Sequence, residues 1–246
     1  DTGFMVVLSF GWRKGVLFDL APLHAVPAED RDVGLLLGQA WAYLAFQDRL
    51  RIRAEQWDRL LANRWFPFSG LSQALLREVG SHVDAGWEPD ELLPKILAET
   101  KGVAERLRPR LEALPEFEAH REVLGRAMDH FQCGDYVSAV TMLYPRIEGV
   151  LRDHRRLLGE PGATQKQLSH SAVADPKGKR HAASLLLPER FRDFIASVYF
   201  AGFDPTNVDV VSRHSVAHGV APENRLGPKA AVLAVLVLDH LSYLMR

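Results

Sequence analysis

The chain has 246 residues, 47% hydrophobic and 25% charged, which is enough to bury a sizeable core and is the composition of a globular protein, not a disordered one. Thirty Lys and Arg against 31 Asp and Glu leave a formal charge of -1, which weighs against avid nonspecific nucleic-acid binding and confines any such role to a local patch. The single Cys133 excludes an internal disulfide and has no companion at metal-ligand spacing, so we expect a small apolar residue in a helix and a reducing, cytoplasmic setting.

The opening DTGFMVV has neither an initiator Met nor a basic leader and reads as an excised fragment, not a secretory precursor. Val, Phe and Trp are frequent over the first twenty-odd residues, with RKG in the middle, which predicts two strands and a turn supplying Gly15. Such a hairpin needs helices to pack on. From about Asp32 to Asn63 apolar residues recur at helical spacing, predicting one amphipathic helix. NRWFPFSG breaks it with Pro67 and Gly70, and a short helix is expected from Leu71 to Val79. Trp41, Trp57, Trp65 and Trp87 suit core or interdomain packing better than base stacking. Residues 1–82 are thus an N-terminal hairpin and helical extension of unknown role.

Residues 83–246 read as a helical bundle, which makes the fold class mainly α. ELLPKILAETKGVAERLRPRLEAL, PEFEAHREVLGRAMDHFQCGD and YVSAVTMLYPRIEGVLRDHRRLLGE each carry apolar residues three and four apart, with Pro or Gly at the joints. Between Gly159 and Ser184 the chain is polar and turn-rich, a mobile basic loop carrying Lys166, Lys177, Lys179, Arg180 and His181. SLLLPERFRDFIASVYFAGF supplies another helix. Asp204 as N-cap, Pro205 at the first helical position, Gly219 just past the end and Pro222 beyond it predict a helix over about 205–218. The last segment, PKAAVLAVLVLDHLSYLMR, is apolar almost all round and reads as a buried helix. Its Asp239 and His240 are expected to make a satisfied buried contact or a dimer contact. Its apolar run, 230–238, is far shorter than the roughly 20 residues that span a bilayer, so no membrane partner is expected.

RHSVAHG, residues 213–219, concentrates polar chemistry at the end of the 205–218 helix. The ordinary reading is a polar helix end, where unpaired carbonyls favour cations. A zinc site on His214 and His218 is a second reading, but no glutamate of an HExxH pattern lies between them and no cysteine is near. A third joins Arg213 to His218. A histidine titrating near neutrality moves protons and a permanently charged arginine steadies a phosphate, the two needs of metal-free RNA cleavage. The pair lies five residues apart, about 140° around an ideal helix, so the last turn must loosen or Arg213 must reach across.

SRHSVAHG, followed by a loop and AAVLAVLVLDHL, resembles the NRHxxxHG version of the HEPN domain signature, an arginine, a polar residue and a histidine a few positions on. Ser212 stands where Asn is frequent. Upstream, GDYVSAVTMLYPRIEGVLRDHRRLLG is similar to the helix that precedes the signature and carries Glu148. The resemblance covers about 115–246 and leaves residues 1–80 unexplained. It implies a bundle of four or five helices that pairs as a homodimer, with the two Arg/His sets facing each other across a cleft. It further implies a metal-independent endoribonuclease without cofactor, acting as a toxin or anti-phage effector in abortive infection, with RNA as substrate and a cognate antitoxin or sensor domain as a further partner.

Carried onto this chain, Arg213 stabilises phosphate and His218 is general acid or base. His214, at the polar position, orients RNA or its neighbour. Glu148 supports them, its ordinary alternative being a surface carboxylate paired with Arg152. Lys177, Lys179 and Arg180 are the candidate RNA-binding residues, with a solvated loop as the plainer reading. The alternative function is a noncatalytic HEPN module that binds RNA or a partner protein and mediates dimerisation.

Overall fold

The computed structural model describes residues 5–10, 13–18, 37–38, 41, 44–46, 52–160, 162–175, 184–202 and 210–246, with side chains described from residue 37 onward. Met5–Phe10 (β1) pairs antiparallel with Arg13–Phe18 (β2). Gly15 lies inside β2, opposite Leu8, and not at the turn that RKG suggests. The rest of the described chain is mainly helical.

The helix expected over 32–63 is interrupted. Residues 37–38, 41 and 44–45 are helical, but Ile52 and Arg53 are not, and α1 spans Ala54–Ala62. Two contacts hold the break: Arg190 Nη2 donates to the Ile52 carbonyl at 2.8 Å, and the Arg53 N–H donates to Gln56 Oε1 at 3.3 Å. α2, Gln73–Asp84, starts later and runs longer than expected because Ser72 caps it, accepting from the Leu75 N–H at 3.2 Å. Glu99 fixes that cap from the neighbouring helix, accepting from Ser72 Oγ at 2.6 Å and from its N–H at 2.8 Å.

A 3-10 turn, Pro89–Leu92, leads into α3, Leu93–Ala113, and a second, Pro115–His120, into α4, Arg121–Cys133. α5, Tyr136–Leu157, is capped by Asp135. The expected basic loop contains a short helix, α6, Gln165–Ser171, started by a capping box between Thr164 and Gln167. Lys177, Lys179, Arg180 and His181 lie outside the described residues. α7, Pro188–Phe194, continues into a π-helical turn, Ile195–Tyr199. α8, Arg213–Ala217, and a 3-10 turn, Glu223–Arg225, precede α9, Pro228–Leu244.

α9 is apolar all round because it is surrounded. Ala231, Val232, Val235, Leu236, Leu238 and Leu241 are fully buried, and the helix packs on α3 and α5. Each such Leu or Val contributes roughly 1.5–3 kcal/mol of burial. One core runs from Leu60 to Met245. The expected boundary at 82/83 falls inside α2, and Phe66, from the NRWFPFSG break, packs its ring against Phe191, Phe194 and His240.

Trp65 is buried and Trp57 packs on the core, whereas Trp41 and Trp87 are exposed. Cys133 closes α4 and is exposed, not an apolar filler. Asp239 is buried and accepts from Arg110 Nη2 at 2.6 Å. His240, also buried, lies 3.1 Å by Nδ1 from Ser69 Oγ and 2.8 Å by Nε2 from the Leu186 carbonyl. No helix among the described residues is long and apolar enough to cross a membrane.

Candidate functional site

The RHSVAHG stretch occupies a different part of a helix from the one its punctuation suggests. Asp204 and Pro205 lie outside the described residues, residues 210–212 are not helical, and α8 begins at Arg213. Ser212 is its N-cap. The Ser215 N–H donates to Ser212 Oγ at 3.3 Å and the Ser212 N–H to Ser215 Oγ at 2.9 Å, both serines being buried. Serine therefore does at 212 the capping work that asparagine also does well. Arg213 is the first helical residue and not part of a last turn, so helix C-terminal carbonyls do not hold it. The far end is as expected: Gly219 has φ +67° and follows the C-cap residue His218.

A carboxylate holds Arg213 instead. Its Nε meets Glu148 Oε2 where α8 packs on α5. The other oxygen of Glu148 accepts from Arg152 at 2.9 Å (Nε) and 2.6 Å (Nη2). Glu148 thus makes the plain pair with Arg152 and, at the same time, the contact with Arg213. It is 5% exposed, whereas the Arg213 and Arg152 side chains keep 25% and 50% of their surface open. Both arginines hold the carboxylate while part of each side chain stays open to solvent.

His214 and His218, one turn apart, place their ring centroids 4.4 Å from each other. His214 is half-buried and His218 is exposed. Among the described residues no group of three His, Cys, Asp or Glu is arranged to hold a metal. The structure therefore gathers Glu148, Arg213, His214 and His218 around one short helix. Arg213 and His218 bracket it as first residue and C-cap.

Two residues that the sequence patterns do not single out border this group. Tyr199 is buried at the end of the π-turn, and its hydroxyl donates to the Tyr144 carbonyl at 2.5 Å. Burial, reinforced by the charge of Glu148, pushes the Tyr199 hydroxyl well above its ordinary value, and burial lifts Tyr144 to about 12. Both hydroxyls therefore stay protonated at neutral pH. The second residue, Arg64, sits in the NRWFPFSG break and donates by Nη2 to the carbonyls of Val198 and Val211. A serine followed three residues later by a serine is the local signal for the true start of α8. Nothing local marks Tyr199.

α8 thus carries an arginine of the kind that holds an anion and imidazoles of the kind that exchange protons, the chemistry of phosphoryl transfer. Set against known proteins, the chain matches no family model, no curated protein and no solved structure.

Proposed function

We propose that the protein is a HEPN-type endoribonuclease that cuts RNA without a metal, in the manner of a toxin or anti-phage effector. The ion pair between Arg213 and buried Glu148 carries this reading. It fixes the arginine on the short helix that also presents His218, and leaves a quarter of the Arg213 side chain, 25%, exposed.

In the reaction the 2′-oxygen forms a bond to phosphorus and the bond to the 5′-oxygen breaks, leaving a 2′,3′-cyclic phosphate and a 5′-OH. One imidazole takes the 2′-OH proton and another donates a proton to the departing oxygen. Arg213 neutralises charge on the pentacoordinate phosphorus. A homodimer supplies two Arg213/His218 sets to one cleft, which removes the five-residue offset as an obstacle.

The test is incubation of the purified protein in EDTA with a single-stranded RNA and its all-2′-deoxy counterpart. Cleavage of the RNA alone, with cyclic-phosphate ends, is the expected result. Intact RNA across varied substrates, or cleavage of both strands, rejects the reading. A second reading, a noncatalytic HEPN module binding RNA or a partner protein, draws on the same carboxylate, because Glu148 already neutralises part of Arg213. RNA binding without cleavage is its signature.

A further inference from the structure

Five of the described helices close with the same pair of backbone bonds, one reaching back three residues and, from the next residue, one reaching back five. α2 ends with Gly86 N–H to Val83 O and Trp87 N–H to His82 O, and α4 with Gly134 to Phe131 and Asp135 to His130. α5 ends with Gly159 to Arg156 and Glu160 to Arg155, and α8 with Gly219 to Val216 and Val220 to Ser215. In all four a glycine takes the left-handed conformation this closure requires, with φ between +67° and +85°.

α1 closes with the same bonds, Arg64 N–H to Leu61 O at 2.9 Å and Trp65 N–H to Leu60 O at 2.8 Å. Here the left-handed residue is an arginine, Arg64, at φ +60°. An L side chain in that region crowds its own carbonyl, so the backbone alone would favour glycine. The side chain must then be doing something worth the strain.

Its contacts say what. Arg64 Nη2 donates to the Val198 carbonyl at 3.0 Å and to the Val211 carbonyl at 2.5 Å. Val198 belongs to the π-turn that carries Tyr199, and Val211 immediately precedes Ser212, the N-cap of the helix that begins with Arg213. One charged nitrogen therefore ties the π-turn to the entry of α8 with charge-assisted bonds. The turn that carries Arg64 is itself anchored. Lys229 Nζ donates to the Asn63 carbonyl at 3.0 Å and to Asp90 Oδ1 at 2.6 Å, and Trp65 Nε1 donates to the same Asp90 oxygen at 2.6 Å.

We propose that Arg64 is a positioning residue for the Arg213/His218 site, clamping the start of α8 so that Arg213 meets Glu148 and His218 faces substrate. The proposal rests on the ribonuclease reading for its catalytic consequence. It also gives the NRW break a role at the site, although it lies outside the stretch that resembles HEPN.

The experiment compares the full chain with Arg64→Gly, which suits the backbone but removes the guanidinium, and Arg64→Lys, which keeps a charge but not the planar fork. Hydrogen exchange and single-turnover RNA cleavage are read on each. For Arg64→Gly the thermal midpoint is expected to stay within a few degrees, while amides of 211–218 exchange on the order of tenfold faster and those of α9 do not change. The maximal cleavage rate is expected to fall at least about tenfold with KM within about twofold. Arg64→Lys is expected to fall between Arg64→Gly and the unmodified chain in both readouts. Unchanged exchange over 211–218 overturns the clamp, and cleavage by Arg64→Gly at the unmodified rate overturns the positioning role whatever the exchange shows. If the unmodified chain leaves RNA intact, the ribonuclease reading fails, and the exchange result alone decides whether Arg64 holds α8.

Discussion

Glu148 Oε2 meets Arg213 Nε across the packing of α5 on α8, while Glu148 Oε1 holds Arg152 one turn further along α5. A buried carboxylate that shares itself between two partly exposed arginines does two things. It fixes the direction in which Arg213 points, and it lowers the positive charge that phosphate meets.

Glu148→Gln separates those effects. The amide keeps the shape but loses the charge, so Arg213 is freed to rotate and its full charge is exposed. Single-turnover cleavage is expected to drop about 10- to 100-fold. RNA affinity, read by fluorescence anisotropy, is expected to hold or tighten. Equal loss of affinity and rate would mean that Glu148 acts by holding the fold together.

The second buried pair belongs to the core. Asp239 is 1% exposed and accepts from Arg110 Nη2, while Arg110 Nη1 donates to Ser242 Oγ at 2.9 Å. Asp239→Ala leaves the Arg110 guanidinium buried without its counter-charge, at a cost of about 3–5 kcal/mol. Urea denaturation checks this, and a midpoint shift equivalent to less than about 1 kcal/mol would show that Arg110 escapes to solvent.

Two carboxylates set opposite acid responses. For Glu116, burial alone would raise the carboxyl, but the hydrogen bond with His154, a backbone N–H and the His154 charge outweigh it and hold it below its ordinary 4.5. A carboxyl lowered by folding stabilises the protein fully above its unfolded value, and that stability is lost as the pH falls through its native value. Asp239 is raised, chiefly by burial with Arg110 pulling the other way. Its native state holds the proton longer, so its contribution falls as the pH rises through the raised value. Glu116→Gln is therefore expected to be less stable at neutral pH and to lose less stability on acidification. Urea midpoints measured across the acid range test the sign, and a steeper acid loss in Glu116→Gln contradicts it.

How far the sequence revealed this molecule varies along the chain. α3, α4, α5 and α9 were legible because Pro and Gly sit at their joints and their apolar spacing runs for several turns. α6 was hidden in a polar stretch, since among its apolar positions only Leu168 supplies a buried anchor. The start of α8 was misplaced because Asp204–Pro205 is a louder capping signal than Ser212 with Ser215. Glu148, Arg213, His214 and His218 were visible as residue types. What joins Glu148 to Arg213, however, is the packing of two helices distant in sequence. Arg64 was silent because the position it fills usually announces itself by glycine, so its strain appears only in the backbone angle.

Whether Arg213 and His218 cut RNA is decided by single-turnover cleavage of one RNA in EDTA by the unmodified chain, Arg213→Ala and His218→Ala, with analysis of the new ends. The expected result is 2′,3′-cyclic phosphate and 5′-OH ends from the unmodified chain, with a rate at least about 100-fold lower in each variant. Cleavage by both variants at the unmodified rate would contradict it.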